Sequence, residues 1–153
     1  MSSYLVQHGK SLSKDVDPEK GLSDEGMAEV ERIANVAKGY GIPVKAIMHS
    51  GKKRALQTAE IFAAALNPPE GLEKIDGINP LDNVAVFSET LEGRISQMLV
   101  GHLPFMEKLT SYLIAGSIDK PVFKFQNGGI VCLDKHPDTQ TWVIKWTLMP
   151  NIG

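Results

Sequence analysis

Three short apolar segments punctuate this chain, and each of them ends at a polar side chain with useful chemistry. They lie at residues 4–6, 44–48 and 95–100. Their length and composition are typical of buried β-strands, and the side chains that follow them are His8, Ser50 and His102. The carboxyl ends of parallel strands meet at one edge of a sheet, where α/β proteins carry their functional sites. We therefore expect these three side chains to lie close together.

Between these segments, apolar residues recur at three- and four-residue steps, which predicts amphipathic helices. The first helix follows Ser23, a favourable N-cap, and ends at Gly39 or Gly41. Three more helices are predicted, at 55–66, at 82–91 and after Pro104. The second of the four helices points its positive N-terminal end back toward the segment that follows the second strand.

The last third of the chain changes to strand-forming sequence. Strands are predicted at 122–125, 129–133 and 142–148. Alternating strands and helices followed by a hairpin indicate an α/β fold, a three-layer sandwich whose central sheet is mostly parallel and has an antiparallel C-terminal edge. The length of 153 residues predicts a single domain, 1–153.

The composition argues against several classes of partner. The net charge is −2 and neither sign forms a long block, so we expect no binding to nucleic acid or to a membrane surface. Cys132 is the only cysteine, so the chain forms no internal disulfide and no thiolate metal cluster. The apolar runs are too short to span a bilayer, and the N-terminus lacks the layout of a secretion signal. We expect a cytoplasmic protein, and the sequence carries no signal of its oligomeric state.

The two histidines and an arginine favour phosphoryl transfer. His8 and His102 each stand beside a glycine, and Arg54 stands at the start of the second helix. A transferring phosphoryl group spreads negative charge over its oxygens, and a guanidinium, imidazoles and a helix N-terminus stabilise such charge. An imidazole can also accept the phosphoryl group covalently and release it to water. These residues therefore predict phosphoryl transfer through a histidine.

Three motifs carry a resemblance to a known family. Gln7-His8-Gly9 resembles the Arg-His-Gly signature of the histidine phosphatase superfamily. Ser50-x-x-x-Arg54-Ala55-x-Gln57-Thr58 is similar to the second motif of that family, and Gly101-His102-x-Pro104 to the third. In so short a chain, their order and spacing most resemble the SixA-type phosphohistidine phosphatases. The resemblance covers nearly the whole chain and implies a phosphoglycerate mutase-like fold.

The resemblance also implies a role for each matching residue. His8 would be the nucleophile that becomes phosphorylated, Arg54 would clamp the phosphate oxygens, and His102 would hydrogen-bond the same group. The positions that would bind the phosphate beside them are Gln7, Gly9, Lys20 and Ser50. No metal and no organic cofactor are implied. The expected substrate is phosphohistidine in a protein, with a small phosphorylated compound as the alternative.

The chain departs from the family pattern at three positions. Gln7 replaces the arginine of the first motif, Gly51 replaces a proline of the second, and Lys20 replaces an arginine common before the first helix. Glutamine keeps an NH₂ donor but loses the charge and the two-pronged geometry, a loss of about 1.5–3 kcal/mol for one charge-assisted bond. Without a neighbouring guanidinium, His8 should hold its proton to higher pH. We expect a pH optimum above that of an Arg-His-Gly enzyme.

Other interpretations compete with this one. If the replacement of arginine by Gln7 leaves too little positive charge for catalysis, the chain would bind phosphate or phosphohistidine without turnover. His8, His49 and His102 would suit a three-histidine metal hydrolase, because catalytic zinc often has three protein ligands.

Two further features of the sequence are not specific enough to assign. Lys52 and Lys53 would suit an acidic protein partner, although a solvated helix start explains them as well. No general acid stands out, and the nearby candidates are Glu73, Asp76 and Asp82.

Overall fold

The computed structural model describes residues 2–152, which form a six-stranded sheet with helices on both faces. The strands are β1 (Ser3–Gln7), β2 (Ala46–His49), β3 (Leu72–Lys74), β4 (Gln97–Gly101), β5 (Ile130–Lys135) and β6 (Trp142–Leu148). The helices are α1 (Asp24–Tyr40), α2 (Lys53–Leu66), α3 (Val84–Ser88) and α4 (Phe105–Ala115), and a 3₁₀ turn covers Leu91–Arg94. None of the described helices is long and apolar enough to cross a membrane.

The strand order is β3-β2-β4-β1-β5-β6. The first four of these strands are parallel neighbours, and β5 and β6 run antiparallel at the C-terminal edge. This arrangement confirms the predicted α/β sandwich with a mostly parallel sheet. Because β1 and β4 are adjacent, with Gln7 opposite Gly101, His8 and His102 leave the same edge of the sheet side by side.

Residues of β1 alternate between two apolar cores. Val6 packs with Val30 of α1 and Phe62 of α2, whereas Leu5 belongs to the opposite core with Phe105 of α4, and all five side chains are fully buried. Burial of one such side chain contributes about 1.5–3 kcal/mol. The strand that ends at the nucleophile candidate is therefore fixed from both faces of the sheet.

The predicted ends of α1 and α2 agree with the structure. The Ser23 hydroxyl accepts a hydrogen bond from Gly26 N at 3.0 Å, and Gly41 closes α1 in the left-handed region with φ of 67°. Asn67 closes α2, and the two prolines that follow prevent its continuation. At its other end, α2 begins just after Ser50, which follows β2, so its N-terminus lies at the carboxyl edge of the sheet.

The structure corrects two of the predicted elements and adds a third that was not predicted. The predicted strand at 122–125 is irregular, because β5 is already paired with β1 and β6, and Phe125 N donates instead to Glu107 of α4 at 3.0 Å. The predicted helix at 82–91 is broken into α3 and the 3₁₀ turn. The edge strand β3 was not predicted, since its three residues are all exposed and give no alternating pattern.

Candidate active site

His8 and His102 lie together at the carboxyl edge of the sheet, as predicted. His8 N donates to Gly101 O at 3.0 Å, which extends the β1–β4 ladder by one bond. The two imidazole rings are tilted by 53° with their centroids 5.1 Å apart. Two residues separated by more than ninety positions in sequence are thus brought to neighbouring ring positions by the pairing of two parallel strands.

The His8 imidazole is oriented by its own backbone. Its Nδ1 donates to Gly9 O at 2.7 Å, so Nδ1 carries the proton and Nε2 carries the lone pair in the neutral ring. Nε2 has no hydrogen-bond partner among residues 2–152. A neutral imidazole with a free, oriented nitrogen is the form required of a nucleophile.

The surroundings of His8 keep that ring neutral. Burial, opposed in part by the bond to Gly9 O and assisted by the cations Arg54 and Lys20, lowers the pKa of His8 to about 4. At neutral pH the lone pair is therefore available almost all of the time.

His102 is held more tightly and is more deeply buried, with 1% of its surface exposed. Its Nε2 lies 2.6 Å from the Ser50 hydroxyl, whereas its Nδ1 is buried without a partner. Burial, followed by the repulsion that a protonated His8 ring would exert and by the cations Arg54, Lys52 and Lys20, lowers the pKa of His102 to about 3. Ser50, expected to bind phosphate, thus makes its close contact with His102.

Arg54 and Lys20 supply positive charge to both rings. Both act on His8 and on His102 as cations. Arg54 lies in the first turn of α2, half-buried, and its guanidinium has no hydrogen bond or ion pair among the described residues. Burial lowers the pKa of Arg54 from its usual value. A guanidinium without a protein partner beside two neutral imidazoles is suited to an anionic ligand.

The loop that carries Lys20 is fixed by contacts with α2. Lys20 adopts a left-handed conformation with φ of 54°. Asp17 accepts hydrogen bonds from Gly21 N at 3.0 Å and from Lys53 Nζ at 2.8 Å, and these bonds hold the pKa of Asp17 down at about 2. Lys53 is therefore occupied within the protein, which weakens the suggestion that it docks an acidic partner.

Gln7 lies beside the two histidines but is largely enclosed. Only 9% of its surface is exposed, and its Oε1 is buried without a hydrogen-bond partner. Its backbone carbonyl accepts from Gly128 N at 2.8 Å. The amide thus leaves one acceptor unsatisfied in the structure, at a place where a buried polar atom normally has a partner.

Gly9 has no room for a side chain on the side that faces α1. A Cβ at Gly9 would lie 2.8 Å from Val30 Cγ2 and 3.2 Å from Leu22 Cδ2, toward α1. Any larger residue would push the loop away from α1. Gly9 also helps to hold the site through its backbone, since its N–H donates to Thr58 Oγ1 at 2.9 Å and its carbonyl orients His8.

Two residues to which the sequence analysis gave no role, Thr58 and Asn127, hold the His8 loop from either side. Thr58 of α2 accepts from Gly9 N, and its own hydroxyl donates to Arg54 O at 2.8 Å. Asn127 donates from Nδ2 to His8 O at 2.9 Å. Thr58 stands in the second motif, and Asn127 begins an Asn-Gly pair, which is a turn signal that gives no hint of contact with His8.

His49 and the acidic candidates do not join the site. His49 Nδ1 accepts from Gly51 N at 3.0 Å, and no group of three His, Cys, Asp or Glu side chains within residues 2–152 has a metal-binding arrangement. Glu73 and Asp76 are exposed, and Asp82 Oδ2 accepts from Asn79 N at 2.8 Å. Every charged side chain that shifts the pKa of His8 or His102 is basic.

A cavity of about 680 Å³ lies at the opposite end of β1, against Tyr4, Tyr40 and Trp146. It is lined mainly by apolar surface and contains no histidine or arginine. Tyr4 and His8 are four residues apart on an extended strand, which separates them by about 13 Å. The cavity is therefore separate from the two imidazoles and offers no nucleophile for phosphoryl transfer.

The sequence and the fold of this chain are similar to those of known proteins. The sequence model of the histidine phosphatase superfamily, branch 1, matches residues 3–82, and no protein with a curated description matches the chain. Among solved structures, the protein histidine phosphatase SixA in complex with tungstate is similar, with a TM-score of 0.83 and 26% identity over 98% of this chain and 97% of that one.

Two further structures have the same fold. A protein from Agrobacterium tumefaciens assigned as a phosphohistidine phosphatase SixA has a TM-score of 0.74 and 26% identity, and 97% of each chain is covered. The mycobacterial glucosyl-3-phosphoglycerate phosphatase has a TM-score of 0.73 over 97% of this chain and 99% of that one, but at 14% identity it supports the fold alone. The matched region contains the loop of His8 and the first turns of α2, and it covers more than half of the chain. The chain belongs to the histidine phosphatase superfamily.

Proposed function

We propose that this protein is a phosphatase that works through a phosphohistidine intermediate at His8 and acts on phosphohistidine in a protein. The observation that carries the proposal is the state of the His8 ring. Its Nδ1 is bonded to Gly9 O at 2.7 Å, its pKa is lowered to about 4, and its Nε2 is free beside His102. These features give a neutral nucleophile with a fixed direction of attack.

The reaction takes two displacements at phosphorus. In the first, the lone pair of His8 Nε2 forms a bond to phosphorus while the bond from phosphorus to the substrate nitrogen breaks, and the leaving imidazole keeps that electron pair and takes a proton from solvent. In the second, water attacks the phosphorus of phosphorylated His8, the P–Nε2 bond breaks, and inorganic phosphate and neutral His8 are released. Splitting the reaction in this way replaces one hard step with two easier ones.

The cations beside His8 stabilise the charge of the transferring group. Arg54 has no partner among residues 2–152, and Lys20 acts on both rings, so both are available to phosphoryl oxygens. His102, held by Ser50, adds a fixed imidazole on the adjacent strand. Such preorganised groups stabilise transition-state charge because they do not have to reorient during the reaction.

The absence of an acid among the described residues at the site favours a phosphoramidate substrate. No carboxylate is among the groups that shift the pKa of either imidazole, so the described residues offer no evident carboxylic acid to protonate an alkoxide. An imidazole leaves more readily than an alkoxide, especially once it is protonated, and it needs less assistance. The similarity to SixA, at 26% identity over nearly the whole chain, supports the same substrate class.

A second candidate function is binding of phosphate or phosphohistidine without turnover. The observation that favours it is Gln7, whose amide replaces a guanidinium and whose Oε1 is buried without a partner. The intact geometry of His8 argues against it, since a binding protein has no use for a free Nε2 at this place.

The decisive experiment follows the phosphoryl group. The wild-type chain, His8→Ala and the control His136→Ala, in the turn between β5 and β6, are incubated with a histidine-phosphorylated protein and with an aryl phosphate. We expect phosphate release and an acid-labile phosphoenzyme in the wild type and His136→Ala, and neither in His8→Ala. Binding of the phosphorylated protein to the wild type with neither phosphoenzyme nor phosphate release would favour the binding protein, and turnover in His8→Ala would overturn the proposed mechanism.

A further inference from the structure

The peptide bond between His8 and Gly9 is held at both ends by side chains. Its carbonyl, His8 O, accepts from Asn127 Nδ2 at 2.9 Å, and its N–H, on Gly9, donates to Thr58 Oγ1 at 2.9 Å. The two side chains come from opposite sides of the loop, one from α2 and one from the turn before β5. A peptide plane held in this way cannot rotate without breaking a hydrogen bond.

The orientation of this peptide sets the orientation of the imidazole. His8 Nδ1 donates to the next carbonyl, Gly9 O, at 2.7 Å. If the peptide between His8 and Gly9 rotated, the Gly9 carbonyl would move away from Nδ1. The ring would then lose the contact that keeps the proton on Nδ1 and the lone pair on Nε2.

The turn that carries Asn127 is itself braced against the rest of the molecule. Gly128 N donates to Gln7 O at 2.8 Å, and Gly128 adopts a φ of 79°. The Gln126 side chain bonds the backbone of Asn151 in both directions, at 2.8 and 2.9 Å. The Asn151 side chain in turn donates to Glu29 Oε2 of α1 at 3.1 Å. These four hydrogen bonds thus hold the turn that places the Asn127 amide against the His8 loop.

We propose that Asn127 is a positioning residue for the nucleophile: through its bond to the His8 carbonyl, it fixes the peptide that keeps Nδ1 protonated and Nε2 aimed at phosphorus. Asn127 lies outside residues 3–82, which the family model matches, and no motif marks it. It acts on the substrate only through His8. The proposal rests on the function proposed above, but its effect on the His8 ring can be measured without turnover.

The test replaces Asn127 with alanine and compares it with Asn83→Ala, a matched control. Asn83 also makes one side-chain hydrogen bond to backbone, from Val86 N at 3.1 Å, at the start of α3. Asn127 does not have a positive φ, so alanine causes no backbone strain there. We expect kcat of Asn127→Ala to fall about tenfold with KM within about twofold, and Asn83→Ala to match the wild type.

The His8 ring provides two readouts that a general loosening of the fold would not give. Nitrogen chemical shifts should show the Nδ1–H tautomer in the wild type and a mixture of tautomers in Asn127→Ala. The bond to Gly9 O raises the pKa of His8 against the lowering by burial and by Arg54 and Lys20, with the neutral His102 ring alongside. Loss of that bond should move the acid limb of the pH–rate profile downward, whereas added solvent around a loosened ring would move it upward.

A second variant guards against poor folding of the first. Asn127→Asp keeps the size of the side chain but replaces the Nδ2 donor with an oxygen that repels His8 O at pH 8, so its kcat should fall at least as far. An unchanged tautomer and unchanged kcat in a folded variant, or an equal loss in Asn83→Ala, would overturn the proposal. If the wild type forms no phosphoenzyme, the proposed function fails, and the tautomer comparison still decides the role of Asn127.

Discussion

The loops after β1 and β4 each carry a histidine, but they hold it in opposite ways. His8 bonds its own loop through Nδ1 and leaves Nε2 free, whereas His102 bonds Ser50 through Nε2 and has Nδ1 buried without a partner. A nucleophile needs an accessible lone pair, while a group that stabilises charge needs mainly a fixed position. The difference supports the proposal that His8 attacks and His102 stabilises charge, although both sit at equivalent places in the sheet.

The largest expected effect separates the two histidines directly. His8→Ala should lower kcat for an aryl phosphate about a thousandfold or more and abolish the phosphoenzyme, since the covalent route is lost. His102→Ala should lower kcat about a hundredfold and still form the phosphoenzyme slowly, because only charge stabilisation is lost. Rapid quenching with labelled substrate measures both. Equal losses with no phosphoenzyme in either variant would contradict the division of roles.

The second prediction concerns acid stability. The pKa of His8 is lowered to about 4 and that of His102 to about 3, below the unfolded value of 6.5. As pH falls, the unfolded chain takes up protons before the folded protein does. The contribution of these two rings to the free energy of unfolding is therefore fully present above pH 6.5, and it declines as pH falls from 6.5 toward the folded-state pKa of each ring. Each histidine should remove about 2 kcal/mol of unfolding free energy between pH 6.5 and 4.5. Urea unfolding at several pH values measures this slope.

His102→Gln sharpens that measurement. Glutamine keeps a polar side chain of similar size but does not titrate, so the loss of stability between pH 6.5 and 4.5 should shrink by about half compared with the wild type. An unchanged slope would mean that the buried ring of the second loop does not control acid unfolding.

The sequence could predict the parts of the site that depend on strand order. Apolar segments followed by His8 and His102 were enough to predict that the two rings meet, because parallel neighbours share one edge. The register that places Gln7 opposite Gly101 follows from pairing across the sheet, which no local pattern reveals. Local signals therefore predict which side chains reach the edge, and tertiary pairing decides how closely they approach.

The contacts that hold the site could not be predicted, because they join distant segments through single polar atoms. Asn127 lies 119 positions from His8, and the irregular stretch before it was mistaken for a strand. The contact of Ser50 with His102 depends on how β2 and β4 pair, which no local pattern shows. The packing of Gly9 against Val30 of α1 likewise joins distant segments, and no local pattern shows it.

The third prediction tests the departure at Gln7. Gln7→Arg adds a guanidinium beside the two rings and should raise kcat about tenfold, while Gln7→Leu should lower it. Arginine should also move the acid limb of the pH–rate profile downward, because a cation disfavours protonated His8. The movement should be less than about one pH unit, since burial is already the largest cause of the low pKa of His8. An acid limb that moves upward, or does not move, would place residue 7 away from His8 in solution.

The smallest effect on the reaction is expected from loss of the contact between Ser50 and His102, the histidine in the loop after β4. Ser50→Ala removes the hydroxyl 2.6 Å from His102 Nε2 and frees that nitrogen, so the ring should lose its fixed position. Inhibition by inorganic phosphate, the product of the proposed reaction, should weaken about fivefold, as for the loss of one hydrogen bond, while the phosphoenzyme still forms. Ser111→Ala is the matched control, because it removes a buried hydroxyl that donates to Glu107 O within α4 at 2.9 Å. If Ser50→Ala instead abolished the phosphoenzyme, Ser50 would contribute to attack, and the two loops would not divide the reaction between them.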